Sequence, residues 1–92
     1  MDTDTEAEQV TNAIGAHRAH IDVIDQEIKR LIMLRSVRSQ EIVSLRMSIG
    51  GTRRALSRER EVIANYQLSF GYEGAVLAEY ILKISRKWEQ VK

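Results

Sequence analysis

Apolar residues recur along the first half of the chain at Ile14, Ile21, Ile24, Ile28, Leu31, Ile42, Leu45 and Ile49. The steps alternate between three and four, a seven-residue repeat that marks one face of a helix. Nothing between Gly15 and Gly50 breaks a helix, so the pattern predicts a first helix from about Glu6 to Ile49. Its uninterrupted part of ~35 residues would run ~50 Å at about 1.5 Å per residue. A compact globule of this length has a radius of gyration of only ~12 Å. Such a helix overhangs its own domain, and its apolar stripe needs a second chain to cover it. The expected architecture is all-α: three helices per chain with a long first helix, in an intertwined helical homodimer.

Gly50-Gly51-Thr52 closes the first block. Ser57 is placed to cap a second helix, with Glu59 and Glu61 in its first turn. That block carries a stripe at Leu56, Ile63, Tyr66 and Phe70. Gly71 and Gly74 are expected to turn the chain. The third block repeats helical spacing at Leu77, Tyr80, Ile81, Ile84, Trp88 and Val91. Tyr66, Tyr80 and Trp88 read as core packing. Residues 1–92 read as one domain, and the acidic first ten residues are expected to fray.

Composition narrows the chemistry. The 92 residues contain no cysteine, which removes disulfides and thiolate metal sites. His17 and His20 lack the further ligands a zinc site needs, so no metal is expected. The N-terminus shows no secretory pattern, and no apolar run is long enough for a membrane span; a cytoplasmic protein is expected. The net charge is only +1, which argues against a general nucleic-acid binder. The basic residues are mostly arginine: Arg18, Arg30, Arg35, Arg38, Arg46, Arg53, Arg54, Arg58, Arg60 and Arg86. Arginine offers a planar fork that matches carboxylates and phosphates.

The informative residues are those that interrupt the apolar pattern. Past Leu31 the next two positions of the heptad stripe are Arg35 and Arg38. Arg46 follows Arg35 by eleven residues, about three helical turns, so the two point the same way. Glu59 falls inside the stripe of the second helix, beside Arg58. A buried guanidinium needs compensation. Arg35, Arg38 and Arg46 could find it in Glu41, Glu59 or Glu61, as interhelical salt bridges. They could equally line a pocket for a small polyanion. The sequence suggests no Ser/His/Asp or Cys/His set, no glycine-rich phosphate loop and no paired-carboxylate motif. Chemistry run by arginines needs little proton transfer and no nucleophile. An intramolecular rearrangement of a dicarboxylate fits that description.

The run Ile21-Asp22-x-x-Asp25-x-x-Ile28, then Leu31 and Arg35, Arg46-Met47, Gly50-Gly51-Thr52-Arg53, Ser57-Arg58-Glu59, and Val62-Ile63-x-x-Tyr66 resembles the all-helical chorismate mutases. It is most similar to their short, three-helix intracellular subclass, whose members pair with DAHP synthase. The likeness covers roughly Arg18 to Arg86. It implies chorismate as substrate, a Claisen rearrangement to prephenate, and no cofactor.

Position by position, it implies that Arg18 reaches into the partner subunit's site and clamps a carboxylate, while Arg35 binds the other. Arg46 and Arg86 would face the ether oxygen of the breaking bond. Arg58 would support carboxylate binding, Glu59 would take the ring hydroxyl, and Leu82 would line the pocket. Ala55 stands where many efficient relatives carry an acid, which implies weak activity of the isolated protein. Arg38 receives no role. Three competing readings are an isochorismate-pyruvate lyase of the same fold, a non-enzymatic helical dimer, and a nucleic-acid-associated protein using Arg46, Arg53, Arg54, Arg58 and Arg60.

Overall fold

The computed structural model describes residues 3–91, with side chains placed for residues 5–87. The described residues form three helices and no strand: α1 (Thr3–Ser48), α2 (Leu56–Phe70) and α3 (Tyr72–Val91). The all-α expectation with a long first helix holds. α1 begins three residues before the expected Glu6 and ends one residue before Ile49. The chain divides into two compact units, one ending at Leu31 and one starting at Ile32.

The first unit is helix alone. Val10, Ile14, Ile21, Ile24 and Ile28 are all exposed on it. Nothing within that unit covers the heptad stripe.

The second unit holds the remainder of α1 with α2 and α3. Gly50, at φ +80°, ends α1, a backbone conformation that favours glycine. The buried face of α1 here is not the apolar stripe. Ser36 and Gln40 are buried, whereas Ile42 and Leu45 are 56% and 69% exposed. α1 and α3 meet here through small polar side chains. Ser36 Oγ and Ser85 Oγ lie 3.2 Å apart, both buried. Each hydroxyl also lies within reach of a carbonyl one turn earlier in its own helix, Ile32 at 3.0 Å and Ile81 at 3.3 Å. Among the described residues, Val62, Ala78 and Ile81 are the buried hydrophobic ones.

Several expectations need correction. Ser57 does not cap α2; the residue before the helix is Ala55, which makes no side-chain cap bond, and Ser57 lies inside the first turn. The long side chains of the expected stripes are less covered than their spacing suggested. Leu56, Phe70, Leu77, Tyr80 and Ile84 are exposed, so Tyr80 is not core within this chain, and Tyr66 is half-buried. Trp88 and Val91 lie outside the described side chains. Gly71 alone makes the turn, at φ +73°, and α3 starts at the next residue. Gly74 is buried inside α3, where a Cβ would stand 2.1 Å from the Tyr66 carbonyl oxygen of α2.

That close approach generates the first prediction. Tyr66 O belongs to backbone and cannot swing aside. Gly74→Ala must push α2 and α3 apart, with an expected loss of about 1–3 kcal/mol, the usual penalty for overpacking. Denaturant unfolding of the two proteins measures it. An unchanged midpoint would mean that the helices separate freely.

Candidate functional site

The end of α1, the loop that follows it and the facing surfaces of α2 and α3 enclose a cleft of about 290 Å³. That is near the lower end for small-ligand pockets. α1 contributes Arg35, Arg38, Ser39, Ile42, Val43 and Arg46 to its wall. The loop adds Arg53, Arg54 and Ala55, and α2 adds Arg58, Glu59 and Val62. Leu82, Ser85 and Arg86 come from α3. Guanidinium groups thus converge from every element around one carboxylate.

Their partners differ, and the differences decide what each can do. Arg35 is half-buried, and its Nη1 is buried with no hydrogen-bond partner among the described residues. A buried unsatisfied donor on a charged group is costly, and an anionic ligand in the cleft would relieve it. Arg46 works on the protein: Nε donates to the Thr52 carbonyl and Nη2 to the Arg53 carbonyl, both at 2.7 Å. This clasps the loop to the end of α1. Gly51 fits beneath it, since a Cβ there would come within 2.7 Å of Arg46 Cγ. Arg58 pairs with Glu61 one turn along, at 2.9 Å. Arg38 pairs with Glu41 at 3.1 Å, with 71% of its side chain exposed. Arg38 thus finds a carboxylate within its own helix rather than across helices, while Arg35 and Arg46 make no ion pair with Glu41, Glu59 or Glu61 among the described residues.

Glu59 sits in the first turn of α2 with 18% of its side chain exposed. Arg54 holds it with a fork, Nη2 to Oε1 at 2.7 Å and Nε to Oε2 at 3.2 Å. Arg86 Nη1 reaches Oε1 at 3.4 Å. The Arg54 hydrogen bonds hold the carboxyl below its ordinary range, with the charges of Arg54, Arg86 and Arg46 adding to them and partial burial opposing. Glu59 is thus an ionised, acceptor-only group at neutral pH.

The structure brings Arg35, Arg46, Arg58, Glu59, Arg86, Leu82 and Ala55 to one cleft; of these, Arg86, Leu82 and Ala55 enter the sequence reading only through the family resemblance. Arg18 lies exposed on α1 in the first unit and is not among the lining residues. Arg54 was missed as a site residue. It precedes α2 in an irregular loop, five residues before Glu59, and no helical spacing links the two.

The fold and the cleft define a small helical protein whose cleft gathers guanidinium groups around one fixed acid. Comparison with known proteins names the class more closely. An intracellular chorismate mutase of Mycolicibacterium smegmatis is 41% identical over 69 residues, covering 75% of this chain and 66% of the relative. Intracellular chorismate mutases of Mycobacterium bovis and Mycobacterium tuberculosis are each 40% identical over 73 residues, covering 79% of this chain and 69% of theirs. The chain thus spans about two thirds of the length of the curated relatives it matches. No family model matches it, and no solved structure does. The chain belongs to the intracellular chorismate mutase family.

The charge state of Glu59 has a consequence for stability. Its carboxyl is depressed in the folded protein, so the ionised form contributes stability above the ordinary carboxylate range. That contribution is lost as pH falls through the folded value. Glu59→Gln is expected to be less stable than the unmodified chain at neutral pH, with the gap closing as pH drops below the ordinary carboxylate range. Urea unfolding as a function of pH measures it, and a gap independent of pH would show that the ion pairs do not set it.

Proposed function

We propose that this chain is an isomerase that converts chorismate to prephenate in the cytoplasm, as a homodimer with sites shared between subunits. The observation that carries the reading is the unpartnered, buried Nη1 of Arg35 in a cleft that also gathers Arg46, Arg58, Arg86 and a fixed ionised acid. Membership of the family supplies the substrate. Chorismate carries two carboxylates, a ring hydroxyl and an ether oxygen, a set that guanidinium groups and one acceptor can hold.

The reaction is a Claisen rearrangement. One C–O bond breaks and one C–C bond forms within the same molecule, with no nucleophile and no net proton transfer. The protein must hold the diaxial, chair-like conformer and stabilise charge that gathers on the ether oxygen. Arg35 takes one carboxylate with support from Arg58, and Arg18 of the other chain takes the second. Arg86 and Arg46 face the ether oxygen; Arg46 has Nη1 left for this once its other nitrogens hold the loop. Those contacts strengthen as the bond breaks, which is what lowers a barrier rather than merely tightening binding. Glu59 accepts the ring hydroxyl. Leu82 and Ala55 complete the wall without charge.

Dimerisation is supported by the exposed heptad stripe of α1, whose apolar surface has no cover within its own unit. The test of the reading is a chorismate-depletion assay with product identification. Prephenate supports it, and no turnover would refute it. Arg35→Ala and Arg46→Ala should each lower kcat/KM by about 10²–10³-fold, the usual effect of removing one charge-stabilising donor. Arg18→Ala and Arg46→Ala chains, each nearly inactive alone, should recover activity on subunit exchange. One site of the mixed dimer then draws both arginines from unmutated positions. Failure to recover would place Arg18 in its own chain's site.

We also propose that the isolated enzyme is weak and that docking of DAHP synthase activates it. Ala55 gives the hydroxyl side of the cleft no second charged group. The loop bearing Arg53 and Arg54 is held to α1 largely through Arg46. A partner that fixed the loop would fix Arg46 and Glu59 with it, without new chemical groups. Docking would engage this loop and the Ser85–Lys92 tail, most of which lies outside the described side chains. Activation should appear as a rise in kcat/KM for chorismate when DAHP synthase from the same cell is added to saturation. An unchanged value, with binding confirmed separately, would refute it.

A further inference from the structure

Arg54 has no part in the roles given above, yet it makes the shortest contact to the acid of the cleft. A carboxylate offers about four acceptor sites, two on each oxygen. On Glu59, Oε1 receives both Arg54 Nη2 and Arg86 Nη1, and Oε2 receives only Arg54 Nε among the described residues. One acceptor site on Oε2 therefore stays open. We propose that Arg54 is a positioning residue whose fork fixes the Glu59 carboxylate so that this one remaining acceptor site meets the hydroxyl of the substrate. The inference rests on the reading of the cleft as a chorismate site.

The fork has an anchorage that a surface ion pair lacks. The Arg46 side chain donates to the Thr52 and Arg53 carbonyls. Thr52 Oγ1 in turn donates to the Arg54 carbonyl at 2.7 Å. A continuous chain of hydrogen bonds thus runs from α1 through the loop to the backbone of Arg54, and from its side chain to Glu59 on α2. Two parallel hydrogen bonds fix the plane of the carboxylate as well as its place, which a single contact cannot do. Without them the Glu59 side chain is free to rotate about its own torsions, held only by the longer Arg86 contact. The groups facing Glu59 are Arg54 from the loop, Arg86 from α3 and Arg46 from α1. Arg54 heads the causes that keep the carboxyl ionised, so its loss raises the titration of Glu59 toward the ordinary range.

The experiment combines two readouts on the full chain and on Arg54→Leu and Arg54→Lys. The first is the titration of the Glu59 carboxyl, followed by ¹³C NMR with Glu59→Gln for assignment. The second is kcat/KM for chorismate against pH. Arg54→Leu should raise the Glu59 titration and carry the acid limb of kcat/KM upward with it. On the plateau its kcat/KM should fall by roughly ten- to a hundredfold, the scale of a misplaced reacting group. Arg54→Lys restores the charge without the fork. It should return the titration toward that of the unmodified chain while the plateau stays low. An unmoved Glu59 titration in Arg54→Leu would overturn the proposal, as would an unchanged plateau. Full recovery of the plateau by lysine would show that charge alone suffices and would also overturn it. If the unmodified chain fails to turn over chorismate, the proposed activity fails by itself, while the Glu59 titration still reports whether Arg54 governs that acid.

Discussion

The buried contact between Ser36 and Ser85 sets where the chemistry of this molecule stands. It is a contact between two small side chains, so α1 and α3 meet without large residues between them. The two hydroxyls have two protons for three bonds, one across the helices and one back to a carbonyl in each helix. When either serine donates across the helices, the other still donates back to its own carbonyl, so the contact is made without a charged group. Arg35 precedes Ser36 and Arg86 follows Ser85. Fixing the serines against each other fixes the two arginines on facing walls of one cleft. A larger residue at either serine would move both arginines at once, through the register of the helices.

Using small polar residues for this contact leaves the apolar side chains elsewhere. Among the described residues, the hydrophobic core of the second unit comes down to Val62, Ala78 and Ile81. Burial of a few such side chains, at about 1.5–3 kcal/mol for each large one, cannot offset the conformational entropy of the chain. Meanwhile Ile21, Ile24, Ile28, Ile42 and Leu45 all face outward along α1, and Leu77, Tyr80 and Ile84 face outward along α3. The proposed homodimer resolves the imbalance, because it makes the stripe of one chain core for another. In such an assembly folding and pairing are one event, and stability depends on protomer concentration. The same division of labour lets the cleft stay rich in charge, since the arginines lining it are not asked to supply the core.

The helices were legible because their signal is periodic and long. The heptad from Ile14 to Ile49 found α1, and the glycines at 50 and 71 marked where it and α2 end. The eleven-residue step from Arg35 to Arg46 placed both on the cleft side for a purely geometric reason. What the sequence hid follows from the same reasoning. Periodicity says which residues share a face, but not which partner covers that face. Tyr80 and Ile84 therefore looked like core of the chain itself. The Ser57 cap failed because α2 opens before it, at Leu56. Gly74 resembled a turn residue, whereas its value lies in a backbone contact with a carbonyl eight residues earlier. Arg54 was hidden because it acts from an irregular segment, where no spacing rule applies. Arg86 lay off the stripe of α3 and entered only through the family resemblance.

The cleft poses an electrostatic problem that its own contacts answer in part. Several guanidinium groups close together repel one another, and each loses hydration as the walls converge. Carboxylates of neighbouring turns draw off Arg38 and Arg58, and two backbone carbonyls occupy Arg46. Glu59 neutralises part of what remains. Of the residues lining the cleft, Arg35 keeps a buried nitrogen with nothing to meet among the described residues. Adding a second protein carboxylate there would quiet the cleft, and it would also occupy the place a substrate carboxylate needs. The unsatisfied donor is thus a reserve of binding energy that only an anion of the right shape can release. In the proposed mechanism, the groups that act as the bond breaks are held by the backbone and by each other before the substrate arrives. For a rearrangement that needs no proton and no nucleophile, that prior arrangement is the whole of what the protein has to contribute.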